Sequence, residues 1–481
     1  MNYRMIGRIL SQLAALEAVC LIPAVAISLG YGEWNAAGSL GLSFGAMLAV
    51  AGILWLFCRK ARKTFRATEG MVCTSLAWIV LSLLGALPFY ISREIPRYID
   101  AVFEIVSGFT TTGASILSDV EAMSRGLLYW RSFSHWLGGM GVLVLLLAIA
   151  PGEGQGFTMH LLRAESPGPD VGKLVPKMKK TAAILYCIYF TLTVLNVIFL
   201  LFGKMPLFEA VCTAFGTAGT GGFGVKNDSM ASYSPYLQNV TTVFMFLFGV
   251  NFSCWYLILL RQFKSVFRDE ELRMYVGLFL AVSLAVAVSI RPLYVTLGEA
   301  LRHAFFQTSS IMTTTGFATT DFDTWPMLSR GLLMLLMVVG ASAGSTGGGL
   351  KCARVLLLFK SLGRNIRRVT HANRVEAVRN NGKPVSETVL DNTNAYLAAY
   401  VIIVVVSFLI LSLDGQTVGT TLTAVLACFN NIGPGLEAVG PTCNFGFLSD
   451  LSKLTLIFDM LAGRLEIFPM LILFSKLTWK K

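Results

Sequence analysis

Ten apolar runs recur along this 481-residue chain, nine of them close to the length a helix needs to cross a bilayer and one, Leu328–Lys360, too long and too interrupted to be a plain helix. They are Ile6–Leu29, Leu40–Cys58, Met71–Ile91, Trp130–Ala150, Thr181–Phe202, Val240–Leu260, Met274–Ser289 (extended toward Pro292), Leu328–Lys360, Asn394–Leu413 and Leu448–Phe474. Only helices and closed barrels satisfy their backbone in lipid, and runs of this length read as helices. Composition closes the soluble alternative: charged residues are 14% of the chain, against roughly 25% for a globular domain, and mean hydropathy is +0.66. Disorder, a collagen-like fold and a disulfide scaffold are excluded on the same grounds. The fold class is an all-α polytopic membrane protein.

The net charge of +12 invites a nucleic-acid partner, but its placement speaks otherwise. Of 39 Lys and Arg, 26 fall at the termini and in alternate loops, Arg59–Glu69, Pro151–Lys180, Arg261–Arg273 and Lys360–Lys383. That is the positive-inside bias, and it puts both termini in the cytoplasm. No nucleic-acid role is expected. Met1–Leu29 lacks a small-residue cleavage site and is expected to persist as the first helix. The nine cysteines are scattered, and none of the four histidines has a neighbour at metal-ligand spacing.

Between alternate spans lie Ile99–Ile116, Pro206–Val225, Leu301–Thr319 and Thr420–Leu436, too apolar for loops and too short to cross. Each opens with an amphipathic helical pattern and closes in a Gly/Thr/Asn-rich strip. The strips read SGFTTTGAS (Ser107–Ser115), AFGTAGTGGFG (Ala214–Gly224), SIMTTTGFATTD (Ser310–Asp321) and CFNNIGPGLE (Cys428–Glu437). Gly113, Gly222, Gly316 and Gly433 stand 109, 94 and 117 residues apart, always between one span and the next. Fixed order at a similar period marks an internal repeat. The chain therefore divides into an N-terminal hairpin (1–66) and four units of helix, pore helix, strip and helix: 67–170, 171–265, 266–385 and 386–481.

Irregular backbone at membrane depth must be buried in protein or line a watery cavity. Four strips on a pseudo-fourfold axis would present a ring of carbonyls able to replace the hydration shell of an alkali cation. Glycine allows the backbone angles this requires, and threonine is small enough for four strands to approach. Each short helix would turn its partially negative C-terminus toward the axis.

These strips, their order and the length of the chain resemble the Trk/Ktr/HKT superfamily of potassium transporters. The extra hairpin is more like the bacterial TrkH/TrkG membrane subunit than the shorter Ktr type. The resemblance implies K⁺ uptake across the bacterial inner membrane through a channel-like pore, with K⁺ as the bound and transported ion and no organic cofactor. It carries filter roles onto Thr111, Thr112 and Gly113; Gly219, Thr220, Gly221 and Gly222; Thr314, Thr315 and Gly316; and Asn431, Ile432 and Gly433. In the second unit, counting four residues from Phe215 gives Gly219, whereas matching Gly316-Phe317 gives Gly222, which is preferred. A homodimer and a cytosolic ring of nucleotide-binding subunits of the TrkA type are the implied partners. Loops 151–180 and 360–384 are the candidate docking surfaces.

Span Leu328–Lys360 contains GASAGSTGGGLK, too glycine-rich to hold a helix at about 1 kcal/mol per Gly. A phosphate loop fails, because Gly349-Leu350-Lys351-Cys352 lacks the adjacent Gly-Lys-Ser/Thr. Tight packing of small residues is one reading. The other, which the resemblance supports, is an intramembrane gate of Gly340, Gly344, Ser345, Thr346, Gly347, Gly348 and Gly349. Arg464 lies within the last span, where a charge is functional by default or pairs with Glu466 or Asp459. The family's arginine at this motif is a barrier to ion passage. Glu104 and Glu209, alike in the first two pore helices, either attract cations or cap backbone. No catalytic set is present: Asp459 has no aspartate partner, and Arg131 and His135 sit at a span's edge. An H⁺- or Na⁺-coupled symporter of the same fold stays open.

Overall fold

The computed structural model describes residues 1–59, 66–141, 178–371 and 376–479. Six described helices are long and apolar enough to cross a bilayer: Tyr3–Gly30, Trp34–Cys58, Ala67–Ile91, Ala182–Phe202, Glu270–Leu293 and Glu387–Asp414. They are the two hairpin helices and the first helix of each unit. The hairpin closes through Ser11 Oγ, which donates to the Ala51 carbonyl (2.7 Å), and packs on the first unit. Its Glu33 reaches across to accept from the free N–H groups of Arg125 (2.9 Å) and Gly126 (3.3 Å), capping a unit-one helix.

In units one, two and four the second helix differs from the expected continuous span. In unit one, Arg125–Gly139 ends at Gly138-Gly139-Met140-Gly141, with Gly141 at φ +86°. The rest of Trp130–Ala150 and the 151–177 part of the basic loop lie outside the described residues. In unit two, Pro235–Phe248 and Phe252–Leu259 meet at 90°. Asn251 makes that corner by accepting from Ser253 N–H (2.8 Å), an N-cap inside an apolar run. Unit three breaks between Met327–Val339 and Cys352–Thr370, as its glycines predict. Unit four breaks between Asp450–Arg464 and Phe468–Phe474, where Glu466 and Ile467 hold φ of 60° and 65°. Hydropathy sees an apolar run and is blind to such corners.

The pore helices are Tyr98–Phe109, Leu207–Gly219, Leu297–Met312 and Val418–Phe429. Bonds between neighbouring units set their cyclic order. Asn227 accepts from Val120 N–H (2.7 Å), joining units one and two, and Met230 N–H donates to the Ala318 carbonyl (2.9 Å), joining two and three. Glu437 N–H donates to Asp323 (3.2 Å) between three and four; Lys453 binds Asp100 (2.7 Å) between four and one. The 360–384 segment, expected as a solvated loop, holds regular structure among its described residues. Its start is the end of Cys352–Thr370, and Arg379–Asn380 pairs antiparallel with Lys383–Pro384 about an Asn381-Gly382 turn of positive φ.

Candidate functional site

All four pore helices end the same way. The residue after the last turn is left-handed in each: Thr111, Thr220, Thr314 and Asn431, at φ 57, 54, 58 and 55°. The next N–H closes back on the helix, Thr112 to Ser107 (2.8 Å), Gly221 to Gly216 (2.8 Å), Thr315 to Ser310 (2.8 Å) and Ile432 to Ala427 (2.9 Å). That six-to-one bond is a Schellman cap, normally made with glycine. Left-handed backbone costs a non-glycine residue roughly 1–2 kcal/mol, so three threonines there are strain held by their surroundings.

Two residues beyond each strained position stands a glycine at φ +81, +77, +87 or +97°: Gly113, Gly222, Gly316 and Gly433. Each faces its neighbour's backbone. A Cβ on Gly113 would overlap the Gly221 carbonyl oxygen, one on Gly222 that of Thr315, and one on Gly316 that of Ile432. On Gly433 it would lie 2.8 Å from the Thr112 oxygen, which closes the ring. Thr112, Gly221, Thr315 and Ile432 therefore occupy one level, and all four glycines border one cavity of about 180 Å³. The register of the second unit follows from this match. Gly222 is the counterpart of Gly113, whereas Gly219 is the last helical residue, at the place of Thr110 and Thr313.

Side support differs between units. In units one and three the threonine hydroxyls pair behind the strip, Thr110 with Thr112 (2.8 Å) and Thr313 with Thr315 (2.7 Å). In unit four Asn431 donates to Thr112 Oγ1 (3.0 Å) and the Met460 carbonyl (2.9 Å), tying the last strip to the first.

The glycine-rich segment Gly340–Leu350 lies directly beneath this ring. Gly348 N–H donates to Thr314 Oγ1 (2.6 Å), and a Cβ there would strike the Asn430 carbonyl; one on Gly347 would be 2.7 Å from the Thr313 carbonyl. The segment also fills the corner of unit two: Ser342 N–H donates to the Gly249 carbonyl (3.1 Å), Phe252 N–H to that of Gly344 (3.0 Å), and Thr346 Oγ1 to that of Phe248 (3.3 Å). Ser345 closes its turn on the Ser342 carbonyl (2.6 Å). Gly340, Gly344 and Gly349 have φ of +72, +69 and +77°. Both ends hang on one buried carboxylate, Glu271, which accepts from Ala343 (2.5 Å) and Ala353 (3.1 Å) N–H. Close packing and position beneath the ring thus hold together. Lys351 turns back onto the Gly347 carbonyl.

Arg464 joins this layer to the first unit. It donates to the Thr346 carbonyl (2.8 Å) and to the buried helix-end carbonyls of Gly139 (2.6 Å) and Gly138. Glu466, named as a partner for it, pairs with Arg354, and Asp459 accepts from Ser407 (2.8 Å). Glu104 is wholly buried: it accepts from Arg131 (2.6 Å), Ser115 (2.9 Å) and Ile116 N–H (2.9 Å), which is the capping alternative. Glu209 accepts from Tyr233 (2.7 Å).

Glu271, Arg131 and His135 went unrecognised in the sequence as parts of the site. Arg131 and His135 are buried behind the second strip. Their signal was weak but real: polar residues one helical turn apart, beside a strip richer in glycine than its siblings.

Residues 41–480 match the family described as TrkH, cation transport protein. Over their full lengths the chain and the Trk system potassium uptake protein TrkH of Salmonella typhimurium are 36% identical. Trk system potassium uptake protein TrkG of Escherichia coli is 32% identical, covering 100% of this chain and 99% of that one. The crystal structure of the potassium transporter TrkH from Vibrio parahaemolyticus superposes with a TM-score of 0.88 at 31% identity, again over both whole chains. The chain belongs to the TrkH family of cation transport proteins, and its fold is that of a helical polytopic membrane protein.

Proposed function

We propose, with membership of the TrkH family as the premise, that this chain takes up K⁺ across a bacterial inner membrane through a channel-like pore. The observation that carries the reading is the closed ring, in which each strip's glycine packs on the backbone of the next. Its carbonyls at Thr112, Gly221, Thr315 and Ile432 would take the place of water around a dehydrated K⁺. Helix ends pointing at that level favour a cation. Beneath it, the 340–350 segment acts as the gate, held shut by hydrogen bonds to Thr314 and Arg464. The guanidinium adds an electrostatic barrier to cation passage.

Both termini face the cytoplasm on this reading, because the basic residues gather at that end. A homodimer and a cytosolic TrkA-type ring fit the relatives, which are named as parts of a Trk system. The described part of the 360–384 segment is the docking surface of choice. There Arg364 and Arg367 are tied to Glu387 (2.6 Å) and Glu376 (3.0 Å).

The test is K⁺ influx into proteoliposomes at clamped potential, with Na⁺ and H⁺ gradients set to zero. Uptake that follows the K⁺ gradient alone supports the pore. Uptake that needs an imposed Na⁺ or H⁺ gradient makes the chain a coupled symporter instead.

A further inference from the structure

The second strip breaks the pattern of its siblings at the level behind the ring. Where units one and three have Thr112 and Thr315, unit two has Gly221; where they have Thr110 and Thr313, it has Gly219. The fourth strip lacks them too but is tied by Asn431 to Thr112 and the Met460 carbonyl, so the second, with no side chain at either position, should be the loosest of the four. The space is filled by His135, from the unit-one helix Arg125–Gly139. A Cβ on Gly221 would clash with its imidazole, 2.6 Å from Cδ2 and closer still to Cγ and Nδ1. A Cβ on Gly219 would strike the His135 backbone carbonyl.

The imidazole is fully hydrogen-bonded. Its Nδ1 lies 2.8 Å from the Gly108 carbonyl, which can only accept, so Nδ1 carries the proton. Its Nε2 is then free to accept from Phe223 N–H (3.2 Å), one residue past the strip's glycine. Phe223 is gripped on its other side by Arg131, whose guanidinium lies 3.4 Å from the ring centroid and donates to the Gly224 carbonyl (3.1 Å). Glu104 fixes Arg131 in turn (2.6 Å).

We infer that His135 does for the second strip what the paired threonine hydroxyls do for the first and third, and is a specificity-determining positioning residue of the pore. The inference rests on the proposed role of the ring as an ion filter. Gly219 and Gly221 are then explained together: one makes room for the helix backbone, the other for the imidazole. Threonine at 221 and histidine at 135 become mutually exclusive solutions to one packing problem.

The experiment measures K⁺ and Na⁺ influx into proteoliposomes of the full chain, with K⁺-dependent thermal stabilisation in detergent as a second readout for every variant. His135→Ala is expected to lower the K⁺/Na⁺ ratio about tenfold, the scale of one buried hydrogen bond lost with its packing. His135→Gln, whose amide keeps a donor and an acceptor, is expected to stay within about threefold of wild type by the same measure. Gly221→Thr alone should abolish selective flux, and the double variant G221T/H135A should recover it in large part. The variant G219T/H135A should not recover, because the obstacle there is backbone. Selectivity unchanged in H135A, or flux unchanged in G221T, overturns the inference. So does a G221T/H135A protein that melts and responds to K⁺ like wild type yet remains as unselective as H135A. Wild-type protein that shows no K⁺ preference would instead remove the filter role on which the inference stands.

Discussion

The ring level and the layer just beneath it are built from the same four units and obey different rules. At the ring, four residues share φ within 54–58° and four glycines close a cycle of backbone contacts. One layer down the second helices of the same units diverge. Unit two turns a 90° corner in three residues, unit three inserts Gly340–Lys351, and unit four turns through Glu466 and Ile467. Near-equivalence is needed where one ion must be held by several donors at once. On the proposed reading it is not needed in the layer that gates. Thr314 joins the two layers, and Arg464 ties the lower one to the end of the unit-one helix Arg125–Gly139.

Substitutions at the ring should have the largest effect and should be alike in the first three units. Gly113→Ala, Gly222→Ala and Gly316→Ala each place a methyl group on a neighbouring carbonyl oxygen. Loss of K⁺ influx by about two orders of magnitude is expected, the scale that ångström misplacement carries in preorganised sites. Gly433→Ala has the most room and should retain the most flux. A single indifferent unit among the first three would break the equivalence.

Changes in the lower layer should depend on the unit and act in the opposite direction. Shortening Gly344–Gly349, or Arg464→Ala, raises basal cation flux, because the barrier goes while the ring stays. Removing charged hydrogen bonds worth about 1.5–3 kcal/mol each sets a rise of about tenfold or more for Arg464→Ala. Unchanged basal flux in both variants would remove the two-barrier account.

A smaller effect sharpens the contrast within one position. Thr111 and Thr314 are equivalent in backbone, but Thr314 Oγ1 accepts from Gly348, whereas Thr111 Oγ1 has no hydrogen-bond partner among the described residues. Thr314→Ala should raise basal flux by about fivefold, as one net hydrogen bond allows, while Thr111→Ala leaves the closed state intact. Equal behaviour of the two would mean that the loop does not depend on the ring above it.

The smallest effect concerns the vestibule side. The hydroxyl of Thr417, then the hydroxyl and N–H of Thr420, hold the Glu437 carboxyl below the usual carboxylate range. A depressed carboxyl contributes stability above its unfolded pKa and loses it as pH falls through the folded one. Wild type should therefore lose a little thermal stability on acidification below the usual carboxylate range, and Glu437→Gln should lose less. The side chain is exposed, so solvent screening keeps the difference small.

Much of the upper layer was legible because it is a repeat. Two TTTG strings and their spacing locate Gly113 and Gly316, and the basic residues gather at one end. The corners were hidden where they rest on single residues: Asn251 caps a helix inside a run that hydropathy counts as continuous. Only unit three announced its break, by composition. The second strip was ambiguous for a physical reason, since its glycines accommodate His135, a residue more than 80 positions away. Spacing within the strip cannot report that.

The central claim is that one ion site lies on the axis of four equivalent strips. Crystals soaked in Rb⁺, a K⁺ mimic with usable anomalous scattering, test it directly. The account predicts anomalous density on the axis, equidistant from the Thr112, Gly221, Thr315 and Ile432 carbonyls, and its disappearance in Gly222→Ala. Density off the axis beside a carboxylate, or none at the ring while Rb⁺ is seen elsewhere, would contradict it.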